Sequence, residues 1–405
     1  MSKHPRALDV VLYGASGFVG RQTVAYFAQH ARGLRWAVAG RNEHKLREAL
    51  ALAGTEVPLF VADARDVNAL ASLAAQTRVV LSSAGPFARY GSELVAACVD
   101  KGTHYVDITG ETPWVRELID QHHDTALRQG TRIVPCCGFD SVPSDIGSFL
   151  VVQAMKQRHG AECVEVKASH RMKGGINGGT VASMLSMLED GHEERFRQPF
   201  LLNPPGTQAL DLGAHADPFA PHFDADFDAW LGPFVMGPIN TRVVRRSAAL
   251  LGIDAGYGRD FKYQEYMHFG RGAAAAVAAA GVSAATLTGQ GLVALSPLRK
   301  LVTSLAAMGP KPGDGPSAAT MDGGSFRCEL MAKSANGHEV RASIADQGDP
   351  GNRATTKMVC EAALALALNE KALPRAAGVI TPAVAFGEVL VQRLRAAGMT
   401  LQLQD

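Results

Sequence analysis

The sequence predicts an α/β protein that begins with a doubly wound parallel sheet. Over the first 135 residues, short apolar runs alternate with amphipathic stretches of helical length. Strands and helices that alternate in this way form parallel pairs through right-handed crossovers. After Asp140 the pattern changes to longer apolar-polar alternations, which favour an antiparallel sheet with one exposed face.

The first part reads as strands separated by helices of similar length. The strands are expected at 8–13, 35–39, 57–61, 78–81, 104–107 and 131–135. The helices are expected at 18–30, 43–52, 66–76, 90–101 and 113–129. Each helical stretch is long enough to return the chain over the sheet, so neighbouring strands should run parallel.

The second part is predicted from its alternations and its turn residues. A helix is expected at 143–158, and strands are expected at 162–171, 232–246, 257–269, 325–333 and 338–346. The Pro/Gly/Ala-rich stretch 203–221 is expected to be irregular. A turn at 348–351 precedes a helix at 353–369, and Thr381-Pro382 opens a helix that runs to about 397.

Composition excludes several classes of protein. The 405 residues include 40 Lys+Arg and 39 Asp+Glu, so no basic excess supports nucleic-acid binding. The 47% hydrophobic content excludes a disordered chain. The six cysteines contain no C-x-x-C pair, which predicts neither a metal site nor a disulfide framework. With no apolar signal segment at the N-terminus, the sequence predicts a cytoplasmic protein.

One segment, 272–298, carries no charge over 27 residues and is long enough to span a bilayer. Its residues are mainly Ala, Gly, Ser and Thr, which supply little insertion energy. We therefore expect a helical pair that is buried or lid-like, a wall for an apolar substrate, or a peripheral membrane contact.

A glycine-rich turn stands where the first strand meets the first helix, in GASGFVG (14–20). Gly14 allows a sharp turn, Gly17 lets the backbone approach a pyrophosphate, and Gly20 lets helix and strand pack closely. The helix N-terminus then faces the phosphates. The strand–turn–helix context predicts a dinucleotide site, with Ser16, Phe18 and Val19 beside the glycines.

The end of the second strand indicates which dinucleotide binds. Gly40 and Arg41 stand where an NAD site would carry an acid. An Arg can pair with a 2′-phosphate, so we predict NADP(H) with Arg41 as the residue that recognises it. The alternative is that Arg41 only begins the next helix. Asp63, after the third strand, is placed for the adenine amine or for a helix cap.

The fourth strand leads into Ser83, Gly85, Pro86 and Phe87. Ligands of doubly wound sheets lie beyond the carboxyl ends of the strands, so this loop is expected beside the nicotinamide ribose. A plain Gly-Pro turn is the alternative. The sequence has no Tyr-x-x-x-Lys, G-x-x-x-x-G-K-[ST], H-E-x-x-H or G-x-S-x-G pattern, which excludes the chemistries these motifs carry.

The sequence resembles the saccharopine dehydrogenase family, and more closely its trans-acting enoyl reductases. The shared N-terminal motifs are GASGFVG (14–20), AGR (39–41), GPF (85–87) and HYVDITGE (104–111). The more specific later blocks are CGFDSVPSD (137–145), KGGINGGTVASML (173–185), NTRVVRRSAALL (240–251), KPGDGPS (311–317), GDPGNRATT (348–356) and GVITPA (378–383). They cover nearly the whole chain.

The resemblance implies three parts: a Rossmann domain at 1–140, an inserted α+β substrate and dimerisation domain at 141–347, and C-terminal helices at 348–405 that return to the first domain. It also implies NADPH-dependent reduction of an α,β-unsaturated acyl thioester in lipid or polyketide biosynthesis. The implied partners are an acyl carrier protein or polyketide synthase and a second copy of the chain.

Enoyl reduction requires a donor to the thioester oxygen and a proton for the α-carbon. The candidates are Tyr90, Lys173, Asn177 and Asp140. Glu111 and Ser141, like Asp140, follow the fifth and sixth strands at the ligand edge of the sheet. Each of the four candidates has a structural alternative: a helix-packing Tyr90, a solvated Lys173 in a polar glycine-flanked loop that includes Asn177, and a helix-capping Asp140.

Two other functions stay open on the sequence alone. An imine-reducing amino-acid enzyme would need several arginines, and Arg171, Arg242, Arg245 and Arg246 are available. A non-catalytic protein that binds NADP or lipid would keep the glycine turn, and the uncharged segment 272–298 would support it.

Overall fold

The computed structural model describes residues 6–175, 177–189, 195, 198–206, 212–294, 311 and 313–404. The strands are β1 (Leu8–Tyr13), β2 (Trp36–Gly40), β3 (Leu59–Val61), β4 (Thr77–Ser82), β5 (His104–Asp107), β6 (Arg132–Val134), β7 (Cys163–Lys173), β8 (His222–Asp224), β9 (Ala229–Pro233), β10 (Tyr257–Gly270), β11 (Ser325–Ser334), β12 (Glu339–Gln347), β13 (Gly378–Val379) and β14 (Thr400–Gln404).

The helices of the described residues are α1 (Phe18–His30), α2 (Glu43–Leu52), α3 (Val67–Gln76), α4 (Phe87–Tyr90), α5 (Ser92–Lys101), α6 (Thr112–Gln129), α7 (Val142–His159), α8 (Gly178–Glu189), α9 (Gly237–Leu251), α10 (Ala273–Ala294), α11 (Ala318–Asp322), α12 (Thr355–Leu368), α13 (Pro382–Phe386) and α14 (Glu388–Ala396).

The first sheet is parallel and doubly wound, as the sequence predicts. Its order is β13-β6-β5-β4-β1-β2-β3, and every described pair in it runs parallel. Alternate residues of β1 face opposite layers: Val10 and Leu12 join one core cluster, and Val11 joins the other. Burial on both faces explains why β1 is apolar throughout rather than alternating.

The second sheet has the order β14-β12-β11-β7-β10-β9-β8. Helix α7 covers one face; a Cβ on Gly147 would come within 2.8 Å of Leu330. The expectation of an antiparallel sheet is only partly right, because β7 and β10 are parallel and their neighbours are antiparallel. The chain between β7 and β10 crosses over through α9, as a parallel pair requires.

The strand expected at 232–246 is wrong beyond Pro233. Residues Gly237–Leu251 form α9, with a proline in its first turn. Arg242, Arg245 and Arg246 are buried there, so polar residues that suggested an exposed strand face instead occupy the interior. The helix expected from 381 to 397 is two helices, because the chain turns at Gly387 with φ 49°.

The C-terminal residues contribute to both sheets. Helix α12 packs against α1 and the strands β1, β4 and β5, while β13 extends the first sheet. Strand β14 pairs with β12 in the second sheet. The return of the helices is visible in these contacts, whereas the boundaries 1–140, 141–347 and 348–405 stay predictions.

The uncharged segment forms one helix, α10, over its described part, rather than a helical pair. Gly232 of β9 faces the backbone of Ala279, and Val277 and Leu287 on other faces are 73% and 53% exposed. Among the described residues, no helix is both long enough and apolar enough to cross a membrane. Residues 295–298 lie outside the described part of the chain.

Candidate functional site

A cleft of about 1110 Å³ lies along the carboxyl ends of the first sheet. Its other walls come from α8, from residues 235–239 before and in α9, and from Lys311 and Gly313. The cleft contains most of the predicted site residues: Gly14, Ser16, Gly17, Phe18, Val19, Gly40, Arg41, Asp63, Ser83, Gly85, Pro86, Phe87, Tyr90, Asp140 and Asn177. Gly20 and Lys173 lie outside it.

The glycine-rich turn has the shape that a dinucleotide needs. Gly14 has φ 80°, and a Cβ there would come within 2.8 Å of Ala84 N. A Cβ on Gly20 would overlap the carbonyl oxygen of Gly14, so Gly20 permits close packing rather than lining the cleft. Gly17 begins α1 without a side-chain cap, which leaves the first backbone N–H groups available to an anion.

Three cations surround the ends of β2 and β3. Arg41, Lys45 and Arg65 are exposed and line the cleft. Asn42, not Arg41, caps α2 by accepting a bond from Lys45 N at 3.0 Å. Arg41 directly precedes this cap, so the alternative that it only stands at the start of α2 remains open. Lys45 and Arg65 are two cations that the sequence did not single out. The sequence could have indicated Lys45 as a second cation at this site, because it lies in the first turn of α2, four residues after Arg41.

Asp63 also faces this end of the cleft. Its Oδ1 accepts a bond from Arg65 N at 3.0 Å, while Asp66 caps α3 through Ala69 N. Burial, together with the nearby Asp63 carboxylate, raises the pKa of Tyr13 to about 12. Asp66, and not Asp63, is therefore the cap of α3.

The loop after β4 is held by a buried carboxylate. Glu111 Oε1 accepts from Phe87 N at 2.9 Å, and its Oε2 accepts from Ala88 N at 2.8 Å. Ser183 of α8 donates to Glu111 Oε1 at 2.8 Å. Glu111 follows β5 at the ligand edge of the sheet, where the sequence places it, but no role in holding this loop was predicted for it.

Beyond this loop the cleft becomes mostly apolar. Val181, Ala182, Met236 and Ile239 line it on the side opposite the first sheet. Asp140 is half-buried among them, and burial raises the pKa of its carboxyl to about 6. A carboxyl with such a pKa can hold and release a proton near neutral pH.

The two other candidates, Asn177 and Lys173, are placed less favourably for catalysis. Asn177 Oδ1 accepts from Thr180 N at 3.0 Å at the start of α8, and its Nδ2 donates to Asn352 Oδ1 at 2.8 Å. Its amide is therefore already engaged, although the residue lines the cleft. Lys173 is exposed at the end of β7, beside Ser325, and does not reach the cleft.

Comparison with known proteins agrees with this geometry. The saccharopine dehydrogenase NADP-binding domain family matches residues 10–134. Trans-acting enoyl reductases of Mycobacterium ulcerans and Mycobacterium tuberculosis are each 37% identical over 418 and 421 positions, with 99% of both chains covered. A second M. tuberculosis relative, provisionally named for the same activity, is 40% identical over 422 positions with the same coverage.

This chain belongs to the saccharopine dehydrogenase family, in its enoyl reductase branch. A solved saccharopine dehydrogenase from Saccharomyces cerevisiae shares the fold at 13% identity, with a TM-score of 0.54 over 98% of this chain and 99% of that chain. The family and the glycine turn together make this protein an NADP-dependent oxidoreductase. The cradle at Gly14 and Gly17 fits the pyrophosphate of NADP(H), and the cations at Arg41 fit its 2′-phosphate.

In this family member, the arginines considered for an amino-acid substrate are engaged elsewhere. Arg242 pairs with Asp217 at 2.7 Å. Arg245 donates to Pro199 O at 2.9 Å, and Arg246 donates to Val379 O at 2.6 Å. Arg171 is exposed near Glu329 at 3.6 Å. None of these four lines the cleft, so they form no carboxylate pocket there; among the described residues, the arginines that line it are Arg41, Arg65 and Arg89.

The uncharged helix also has a different place from the one expected. None of the residues 272–288, whose side chains are described, lines the cleft. The apolar wall is supplied instead by α8 and by residues 235–239. The expectation that this segment forms the wall of the substrate pocket is therefore wrong for residues 272–288.

Proposed function

We propose that this protein uses NADPH to reduce the carbon–carbon double bond of an α,β-unsaturated acyl thioester presented by an acyl carrier protein or polyketide synthase. The names of its relatives support the reaction type. The observation that carries the proposal is the composition of the cleft beyond the glycine turn: an apolar wall with one perturbed carboxyl, which none of Arg171, Arg242, Arg245 and Arg246 reaches.

The wall suits an acyl chain better than a charged substrate. Val181, Ala182, Met236 and Ile239 offer no hydrogen bonds from their side chains, so binding there depends on apolar surface removed from water. An amino-acid imine would leave its carboxylates unpaired against the same residues, which is costly.

The protein's own residues would orient the substrate and supply the proton. When bound, the cofactor supplies the hydride. Glu111 fixes the backbone of Phe87 and Ala88, which sets one side of the reaction site. Asp140 and Tyr90 are the polar candidates in the cleft for protonating the α-carbon and donating to the thioester oxygen.

The test is NADPH consumption, followed by absorbance, with crotonyl thioesters of coenzyme A and of an acyl carrier protein. An equimolar keto acid with an amino acid serves as the comparison substrate. We expect turnover with the enoyl thioesters and none with the imine-forming pair. Turnover only with the imine-forming pair would contradict the proposal.

We further propose that the exposed apolar side chains of α10 contact a partner rather than the substrate. Val277, Val282 and Leu287 share this exposed helix. Val277→Asp combined with Leu287→Asp should leave turnover of the coenzyme A ester unchanged and slow that of the carrier-bound ester. If the variant turned over both esters at the wild-type rates, this contact would be contradicted. Sedimentation of the same variant tests whether the helix instead mediates self-association, and vesicle flotation tests whether it contacts lipid.

A further inference from the structure

A short segment from the second part of the chain lies against the start of α1. We call residues 313–317, together with Lys311, the strap. Arg21 of α1 donates to Gly313 O at 3.2 Å and to Ser16 O at 3.0 Å. A Cβ on Gly315 would overlap the ring of Phe18, so the strap backbone rests directly on that ring. The strap is therefore seated on the helix turn that faces the cofactor phosphates.

The other side of the strap is attached to α8. Gly178 N donates to Asp314 O at 3.0 Å, and a Cβ on Gly175 would come within 2.7 Å of Pro316. Asp314 N also donates to Lys311 O at 2.9 Å, which closes a turn within the strap. These contacts fix the backbone that follows Lys311. Lys311 itself lines the cleft together with the glycine-turn residues Gly14, Ser16, Gly17, Phe18 and Val19.

The glycine turn itself supplies no cation to balance the negative charge of a bound pyrophosphate. Residues 14–20 include no cation, although a bound pyrophosphate is anionic. The nearest cation along the chain is Arg21, whose guanidinium is engaged by the two carbonyl oxygens of Ser16 and Gly313. Lys311 is exposed, and no ion pair involves it in the part of the chain that the structure describes. Backbone N–H groups alone would otherwise face the phosphates.

We propose that Lys311 binds the pyrophosphate of NADP(H) from across the cleft, so that the strap becomes part of the cofactor site. This role differs from that of Arg41, Lys45 and Arg65, which surround the ends of β2 and β3. A residue that binds the pyrophosphate contributes to the affinity for both NADPH and NADH. A residue that binds the 2′-phosphate contributes to the affinity for NADPH alone. The inference depends on the cofactor and not on the proposed enoyl substrate.

The test measures the dissociation constants of NADPH and NADH by fluorescence titration of the full chain without any substrate. Losing one charged hydrogen bond should weaken both cofactors about tenfold or more in Lys311→Ala. Arg41→Ala should weaken NADPH and leave NADH almost unchanged. Lys371→Ala removes an equally exposed lysine far from the cleft and should change neither. Lys311→Arg keeps the charge and should restore most of the affinity.

Unchanged affinity for both cofactors in Lys311→Ala would overturn the proposal, and so would a loss confined to NADPH. Thermal unfolding of the cofactor-free variants shows whether the fold is intact; Lys311→Gln, which keeps much of the side-chain length, replaces Lys311→Ala if the alanine variant is unstable. Because no substrate is present, failure here is distinct from failure of the enoyl reductase assignment. Raised salt should reduce the difference between wild type and Lys311→Ala, since it screens exposed charges.

Discussion

Ser183 Oγ donates a hydrogen bond to Glu111 Oε1 at 2.8 Å and thereby joins helix α8 to the loop after β4. The same carboxylate accepts from the backbone N–H groups of Phe87 and Ala88. One buried group therefore connects the two walls of the cleft at the end away from Arg41, Lys45 and Arg65. Its removal should affect the reaction more than the binding of the adenine half of the cofactor.

Glu111→Gln should lower kcat about tenfold or more. The amide oxygen cannot accept all three bonds, and the amide NH2 would face a backbone N–H or the Ser183 hydroxyl, which are themselves donors. The dissociation constant of 2′,5′-ADP, which probes only the adenine end, should stay near that of wild type. Glu93→Gln, an exposed glutamate on α5, is the matched control. A larger effect on 2′,5′-ADP than on kcat would contradict the positioning role.

The cations at β2 and β3 should set the preference for NADPH. Arg41→Ala should raise the dissociation constant of NADPH about tenfold and leave NADH within a small factor, because a charged hydrogen bond to the 2′-phosphate is lost. Arg47→Ala is the control, since Arg47 pairs with Glu43 on the surface of α2. Equal weakening of both cofactors would show that Arg41 does not recognise the 2′-phosphate.

Asp140 should make the reaction and the stability depend on pH. Burial raises the pKa of its carboxyl to about 6, above its unfolded value, so its contribution to stability is present at low pH and is lost as pH rises through about 6. As a proton donor it should make kcat fall over the same range. Asp140→Asn should remove that limb of the kcat profile and raise the melting temperature at neutral pH. A kcat profile that keeps the limb in Asp140→Asn would assign the proton to another group.

Glu265 should contribute to stability through a buried network. It accepts from Ser144 and Tyr263 at 2.7 Å and from Asn240 at 2.8 Å. His170 Nε2 lies 3.3 Å from Glu265 Oε2. Removing one member of a buried charged pair costs about 3–5 kcal/mol, so urea unfolding of Glu265→Gln should show a loss of that order.

The same network also makes stability depend on pH, here through a histidine whose pKa is raised by its neighbours rather than by burial. Burial alone lowers the pKa of His170, but Cys328 and Glu265 outweigh it and raise that pKa to about 10. The stabilisation is thus fully present below the ordinary histidine pKa and is lost as pH rises through about 10. The matched control for Glu265→Gln is Glu329→Gln on β11, which pairs with the strand of His170. This change should cost much less, since Glu329 is partly exposed. An equal loss of unfolding free energy in Glu265→Gln and Glu329→Gln would contradict a stabilising role for the buried His170–Glu265 pair.

Local patterns were sufficient for the first sheet and for the cofactor end of the cleft. Strand β1, the turn 14–20 and helix α1 are contiguous in the chain, so their geometry follows from glycine freedom and apolar periodicity. The same holds for Arg41, which directly follows β2. The two-residue strand β13 was missed, because it gains its pairing from β6, which lies far away in the sequence.

The chain alone determined that this protein has a doubly wound sheet, a dinucleotide turn and a basic residue after β2, since each depends on residues within one βα unit. The tertiary structure decided which polar residues meet in the cleft. Lys173 and Asn177 are close in sequence, yet one is exposed on a strand end and the other is engaged by Asn352. Glu111, Ser183 and Lys311 come from distant segments, and only packing brings them to one cleft. Burial likewise decided that Arg242, Arg245 and Arg246 support the fold, because a buried guanidinium must find partners wherever the surrounding backbone supplies them.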